Sequence, residues 1–238
     1  MEWSGSPLVA DSILLARRIR TDRAPSGRLL GAYWRVCLAL TGIIEGVSSG
    51  GADAAHPVLN FGCGNNFMDG AVNADLFAPH RALLRKRLPD LYWSGRTLPA
   101  SLQARFELVI CEHVIEHLLP DEAMTLLEGL RFVLADGGVL VVSFPDLATI
   151  LGRREAHRRG SAAVELNSTI YRHGHRFMYD APLVLEMLTA AGFSGAVAGS
   201  RMDMPSPERL LRSREAESAY VTARKTMATQ VHPAPRAQ

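Results

Sequence analysis

The sequence predicts an α/β protein: a mostly parallel sheet of seven short strands with helices on both faces, preceded by a helical extension. Three observations carry that expectation. From His56 onward, short apolar runs alternate with stretches of helical periodicity, the pattern of parallel strands joined by helical crossovers. The run Val58-Leu59-Asn60-Phe61 ends in Gly62-Cys63-Gly64, a turn whose glycines let backbone approach a ligand closely. A second run, Val72-Asn73-Ala74, ends in the carboxylate of Asp75, where sheets of this class often hold the ribose of a nucleotide-like ligand.

Taken in order, residues 1–55 read as the helical extension. Leu8, Ile13, Leu14, Leu15 and Ile19 recur at helical spacing until Pro25-Ser26-Gly27 breaks the pattern. A second segment, Leu29 to Val47, offers Tyr33, Trp34, Leu38 and Ile44 for packing. Ser48-Ser49-Gly50-Gly51 reads as a linker into a domain spanning residues 56–226. Within it, strands are expected at Val58–Phe61, Ala71–Asp75, Leu91–Trp93, Phe106–Cys111, Val139–Phe144, Ala196–Gly199 and Ala219–Ala223. Helices are expected at His80–Leu88, Asp121–Leu134, Leu147–Arg159 and Ala181–Ala190. Asp136-Gly137-Gly138 reads as a helix stop feeding a buried strand, and Ala190-Ala191-Gly192-Phe193 as another. The final strand follows its predecessor without a crossover helix and should pair with it antiparallel. Residues 227–238, with Pro233 and Pro235, read as a flexible tail.

Composition narrows the function classes. The chain is 47% hydrophobic and 21% charged, which fits a folded globular protein and not a disordered one. A net charge of +2 is too small to imply a nucleic-acid partner. Cys37, Cys63 and Cys111 are widely spaced and odd in number, so neither a disulfide framework nor a zinc ribbon is expected, and a reducing cytoplasm is the simplest compartment. The N-terminus carries Glu2 and Asp11 and lacks a signal-peptide pattern. The longest apolar run, Val36 to Ile44, falls far short of the ~20 residues that span a bilayer.

Two further segments complete the pattern: Cys111-Glu112-His113-Val114-Ile115-Glu116-His117 after the fourth strand, and Gly137-Gly138-Val139-Leu140-Val141-Val142-Ser143-Phe144-Pro145-Asp146 at the fifth. Together with Asn60-Phe61-Gly62-Cys63-Gly64-Asn65 and Asn73-Ala74-Asp75, they resemble the class I S-adenosylmethionine-dependent methyltransferases. The resemblance is to the branch with N-x-G-C-G-N, N-x-D and H-V-x-E-H motifs, and it covers roughly His56 to Lys225. It implies a Rossmann-like sheet and S-adenosyl-L-methionine as cofactor. Gly62, Cys63 and Gly64 would pass backbone against the methionine part, and Asp75 would hold the ribose. Asn60 stands where many relatives carry an acid that contacts the methionine amine; its amide oxygen can accept that bond without charge assistance. Ser94, four residues before the pair Leu98-Pro99, occupies the place of an adenine-binding Asp, with Leu76 and Leu98 as apolar walls. Cys111 and Glu112 complete the implied cofactor set. A dinucleotide-binding oxidoreductase would need a third glycine where Phe67 stands. This branch also shortens the first crossover, so Asn65 to Asp69 should form a compact loop and not a helix.

Methyl transfer from a sulfonium is an in-line displacement that asks the protein to position the acceptor and remove its proton. His113 follows the fourth strand at the edge where ligands bind, and with His175 it is the candidate for that chemistry; His173 lies beside the latter. His113, Glu116 and His117 have i, i+3, i+4 spacing, which places them on one helical face. With His175 they have the donor types of a metal site, yet hydrogen bonding by Glu116 and His117 to anchor the turn is the simpler use, and no metal is expected. Asp146 reads as a helix cap. The basic runs Arg85-Lys86-Arg87, Arg153-Arg154 and Arg158-Arg159 read first as solvated helix faces. With no N-P-P-Y-type segment to grip a flipped base, the expected acceptor is an oxygen on a small molecule or glycan, not a nucleic acid. A non-catalytic methyltransferase-like subunit acting through partner binding by residues 1–55 is the other class of answer.

Overall fold

The computed structural model describes residues 6–7, 9–10, 13–14, 28–44, 57–84, 86–152, 166, 169–170 and 174–226. The expected linker at residues 48–51, the tail at 227–238, the end of the helix expected to reach Arg159, and His173 lie outside the described residues.

Helix α1 (Arg28–Ile44) precedes the sheet. The strands and helices that follow are β1 (Val58–Phe61), β2 (Val72–Asp75), α2 (Pro79–Leu83), β3 (Leu91–Tyr92) and β4 (Phe106–Glu112), then α3 (Pro120–Val133), β5 (Leu134–Pro145), α4 (Leu147–Gly152), α5 (Ala181–Ala190), β6 (Phe193–Gly199) and β7 (Ser218–Lys225). The seven strands form one sheet in the order β3-β2-β1-β4-β5-β7-β6. All are parallel except β7, which runs antiparallel to both β5 and β6. This is the Rossmann-like, mostly parallel seven-stranded architecture expected from the sequence.

Alternation along the central strands sorts their side chains onto two faces. Leu59, Phe61, Val109, Cys111, Leu140, Val142 and Phe144 pack into the larger core with the apolar sides of α3 and α5. Ile110, Val141 and Tyr220 point the other way, where Met204 and Leu210 cover them. That second cover comes from 3₁₀-helical turns at Arg201–Asp203, Pro207–Arg209 and Arg212–Glu217. Val9 and Ile13 also belong to the larger core, so these two residues pack against the sheet domain. Helix α3 comes close because position 129 is glycine: a Cβ there would sit 2.2 Å from the Gly95 carbonyl oxygen.

Among the described residues, three boundaries differ from expectation by three residues or more. Strand β5 begins at Leu134, not Val139, and α3 stops at Val133. Leu134 is fully buried and already extended (φ −68°, ψ 139°), with its N–H still bonded to the Leu130 carbonyl. Asp136-Gly137-Gly138 therefore lies inside the strand and accommodates the register shift between Phe106↔Leu134 and Leu108↔Val139. Helix α2 ends at Leu83, short of Leu88; Pro89 disfavours helix at Leu88 itself. Strand β6 starts at Phe193, three residues earlier than expected, directly after Gly192 (φ +85°) ends α5. Helix α5 matches its expected bounds, and the Asp180 side chain accepts the Leu183 N–H at 3.0 Å as its N-cap.

Candidate functional site

The carboxyl ends of β1, β2 and β4 lie side by side, the edge at which open parallel sheets bind ligands. At β1 the chain turns through Gly62 (φ +70°) and Gly64 (φ +50°), conformations that favour glycine. The Gly62 and Cys63 N–H groups donate to the Ala74 carbonyl at 2.8 and 3.1 Å, tying the turn to β2. A Cβ on Gly62 would fall 2.3 Å from Val114 Cγ2, so the segment after β4 closes tightly over this turn. At Gly64 a Cβ would meet the Gly62 oxygen at 3.9 Å, an ordinary van der Waals distance, so the turn is less tightly covered there than at Gly62.

Asp75 ends β2 with its carboxylate turned into that turn. Its Oδ2 accepts the Gly64 N–H at 2.8 Å and its Oδ1 accepts the Leu76 N–H at 2.7 Å. Burial pushes its pKa up; the two backbone N–H bonds and the Arg81 guanidinium, 4.0 Å from Oδ2, work against that rise. A carboxylate with two lone-pair sites engaged retains acceptor capacity on both oxygens. The fold thus brings the glycine turn and the acid into direct contact.

The Asn65–Asp69 stretch is a loop without regular helix, as expected, and its organiser is Asn73. Asn73 Oδ1 accepts from Met68 N at 2.8 Å and from Asn60 Nδ2 at 2.9 Å. Its own Nδ2 donates to the Met68 and Ala71 carbonyls and to Asp90 Oδ2, at 3.1, 3.2 and 2.8 Å. Asn60 Nδ2 also donates to the Asn66 carbonyl at 2.7 Å. These acceptors fix the orientation of the Asn60 amide. Arg81, nearly buried, donates to Asn65 Oδ1 at 2.7 Å and lies 5.5 Å over the Phe67 ring. Helix α1 reaches the same edge, where Thr41 Oγ1 accepts the Phe77 N–H at 2.8 Å and Tyr33 meets His80.

The other expected cofactor residues are placed as follows. Cys63 is buried, which pushes its thiol up to about 12; its backbone lies in the turn. Leu76 is half-buried directly after Asp75, and Leu98 is exposed. Ser94 follows β3, with its Oγ accepting the Arg96 N–H at 3.2 Å. Cys111 has its side chain inside the larger core, where burial raises its pKa, so only its backbone reaches the site edge. The Glu112 carboxylate turns to the opposite face, accepting from Ser143 Oγ and Leu211 N at 3.2 Å each; burial raises its pKa as well.

The turn after β4 is a compact polar cluster. His113 has φ +53°, an uncommon conformation for a residue with a side chain, fixed by its N–H to the Ser143 carbonyl at 2.8 Å. Its Nδ1 lies 3.2 Å from Glu116 Oε1 and its Nε2 3.1 Å from Ser218 Oγ. Glu116 is 1% exposed; its Oε1 is 3.9 Å from His175 Nε2, and its Oε2 has no hydrogen-bond partner among the described residues. His117 packs edge-on against His175, ring centroids 4.9 Å apart, with its Nδ1 3.4 Å from the Gly174 carbonyl. Donor atoms of Glu116, His117 and His175 all lie within 4.8 Å of one another, a spacing compatible with a cation. The Glu116 carbonyl accepts the Arg176 N–H at 2.7 Å, pinning the 174–177 segment beneath the turn.

Asn73, Asp90, Arg81 and Ser218 are the site residues missed in the sequence. Asn73 had a signal, as the first residue of the N-x-D motif. Arg81 and Ser218 had none, because an arginine on a short helix and a serine opening a strand are ordinary.

No protein-family model and no curated protein matches this chain. Solved structures with a similar fold include a possible histamine N-methyltransferase from Thermotoga maritima, at 17% identity and TM-score 0.49, covering 71% of this chain and 82% of that one. A SAM-dependent methyltransferase from Archaeoglobus fulgidus gives 13% identity and TM-score 0.49, covering 90% and 94%. One from Mesorhizobium loti gives 17% and 0.46, covering 81% and 97%. At TM-scores below 0.5 these likenesses carry no argument, and the functional reading rests on the chain's own motifs and site geometry.

Proposed function

We propose that this chain is a class I S-adenosylmethionine-dependent methyltransferase of the branch marked by its N-x-G-C-G-N and H-V-x-E-H motifs. The observation that carries the reading is the contact between Gly64 N–H and Asp75 Oδ2 at 2.8 Å, at the carboxyl ends of β1 and β2. That arrangement offers a ligand backbone on one side and a carboxylate on the other. When bound, the cofactor supplies a sulfonium methyl group, which an acceptor nucleophile takes as the thioether leaves. Gly62, Cys63 and Gly64 would hold its methionine part by backbone, with the Asn60 amide oxygen toward the amine. Asp75 would accept from the ribose hydroxyls. Leu76, Leu98 and Ser94 would bound the adenine, and the backbone at Cys111 and Glu112 would close the floor.

His113, an imidazole at the carboxyl edge of β4, would take the acceptor's proton. His175 supports it from beneath through Glu116. An oxygen acceptor on a small molecule or glycan fits a neutral imidazole base and a site without the base-gripping segment of nucleic-acid enzymes. Residues 1–55, whose α1 contacts Phe77 and His80 just beyond Asp75, would serve as a cap over the site. A cytoplasmic setting suits three free, buried cysteines.

The acceptor is tested by methyl transfer from radiolabelled S-adenosylmethionine to a panel of phenols, sugars and matched amines. Label entering hydroxyl acceptors, with loss in His113→Gln, is the expected result. Label entering only amines would overturn the oxygen assignment.

A further inference from the structure

We infer that Glu116 is a positioning residue that fixes the tautomer of His113 and so aims its Nε2 at the acceptor. The inference rests on the methyltransferase reading for its purpose but on independent geometry for its substance. The His113 ring is held at both nitrogens, by Glu116 Oε1 at 3.2 Å on Nδ1 and by Ser218 Oγ at 3.1 Å on Nε2.

The two partners are not equivalent. An ionised carboxylate only accepts, so the proton of a neutral imidazole must sit on Nδ1 when Glu116 faces it. Nε2 is then the lone-pair nitrogen, and the Ser218 hydroxyl, which can donate or accept, donates to it. The serine hydroxyl thereby makes the contact that the hydroxyl of an acceptor would make when its proton is taken.

Two features separate this arrangement from an incidental contact. His113 holds a left-handed backbone at φ +53°, and such residues are kept where the surroundings over-determine them. Glu116 is nearly fully buried on a 3₁₀ turn, Ile115–His117, and the segment at Arg176 and Phe177 hydrogen-bonds to its carbonyl. The carboxylate is thus anchored by backbone, as an orienting group must be. His175 Nε2, 3.9 Å from the same oxygen, flanks it on the other side.

The experiment reads the tautomer directly, without an acceptor. Protein labelled with ¹⁵N in its imidazoles is observed by two-bond proton–nitrogen correlation above the imidazole titration range, and His113→Gln assigns the signal. The expected result is the Nδ1–H form in the wild type, lost in Glu116→Leu and kept in Ser218→Ala. S-adenosylhomocysteine affinity should stay within about twofold in both variants, since neither residue is assigned to the cofactor. Wild-type protein in the Nε2–H form overturns the inference even if Glu116→Leu does not fold. So does a wild-type spectrum that shifts on adding EDTA, which would assign Glu116 to a cation with His117 and His175. Failure to bind S-adenosylhomocysteine with the Nδ1–H form intact would instead sink the methyltransferase reading alone. With an acceptor in hand, Glu116→Leu should lower kcat by up to about 10²- to 10⁴-fold with little change in KM, and Glu116→Gln, whose amide oxygen can still accept from Nδ1–H, should restore part of it.

Discussion

Replacing Asp75 by alanine tests the heart of the site. In the folded protein its carboxylate accepts the Gly64 and Leu76 N–H groups at 2.8 and 2.7 Å. Hydrogen bonds to a charged group contribute about 1.5–3 kcal/mol each, but this carboxylate is buried and its raised pKa records a desolvation cost that alanine removes. The two effects oppose each other, so the fold should lose only about 1–3 kcal/mol. The ligand loses more cleanly. Two ribose hydroxyls deprived of a shared carboxylate should weaken S-adenosylhomocysteine binding by about 1.5–3 kcal/mol, or about 10- to 150-fold. Calorimetric titration of both proteins, with thermal melts to confirm folding, gives the comparison. A folded variant with unchanged affinity would show that Asp75 does not touch the ribose.

The same carboxyl sets a pH dependence. Its pKa is raised above the ordinary 3.8, so it favours folding most when protonated, and that contribution is lost as pH rises through its folded value. Cofactor binding has the opposite sense: affinity should fall as pH drops, starting above the range of an ordinary aspartate, as calorimetry across pH would show. Arg81→Met removes the guanidinium that opposes this rise and should move the acid limb of binding to higher pH; an unmoved limb would disconnect Arg81 from Asp75. Asn73→Ala strips the acceptor from Met68 N–H and Asn60 Nδ2 and the side-chain donor from Asp90, which keeps the backbone N–H. It should destabilise the protein by about 2–4 kcal/mol in a denaturant titration, and a loss below 0.5 kcal/mol would mean the loop holds itself.

What was legible in the sequence was what neighbouring residues decide. β1 ended at Phe61 because the glycine turn follows it, and α5 was bounded by Asp180 and Gly192 within its own segment. The contact of Gly64 with Asp75 spans only eleven positions and follows from two adjacent parallel strands. Misreadings arose where tertiary packing overruled a local signal. Asp136-Gly137-Gly138 has stop-signal chemistry, yet the buried Leu134 had already entered the sheet. The partners that define the chemistry of His113 and Asp75 lie farther off. Ser218 is 105 positions from His113, brought beside it only because β7 inserts antiparallel next to β5. Arg81 reaches back 16 positions to Asn65. The i, i+3, i+4 spacing of His113, Glu116 and His117 gave a helical face in the sequence. In the structure it is a 3₁₀ turn with His113 outside it in a left-handed conformation, and that difference turns a line of side chains into a cluster.

The most direct measurement is isothermal titration of the full chain with S-adenosylhomocysteine, the non-transferable product of the cofactor. One equivalent binding with a Kd on the order of 1–100 μM, in the range of ordinary substrate affinities, is the expected result. No binding at millimolar concentration, by a protein whose thermal melt shows it folded, would contradict the assignment of the Gly62–Gly64 turn and Asp75 as a cofactor site.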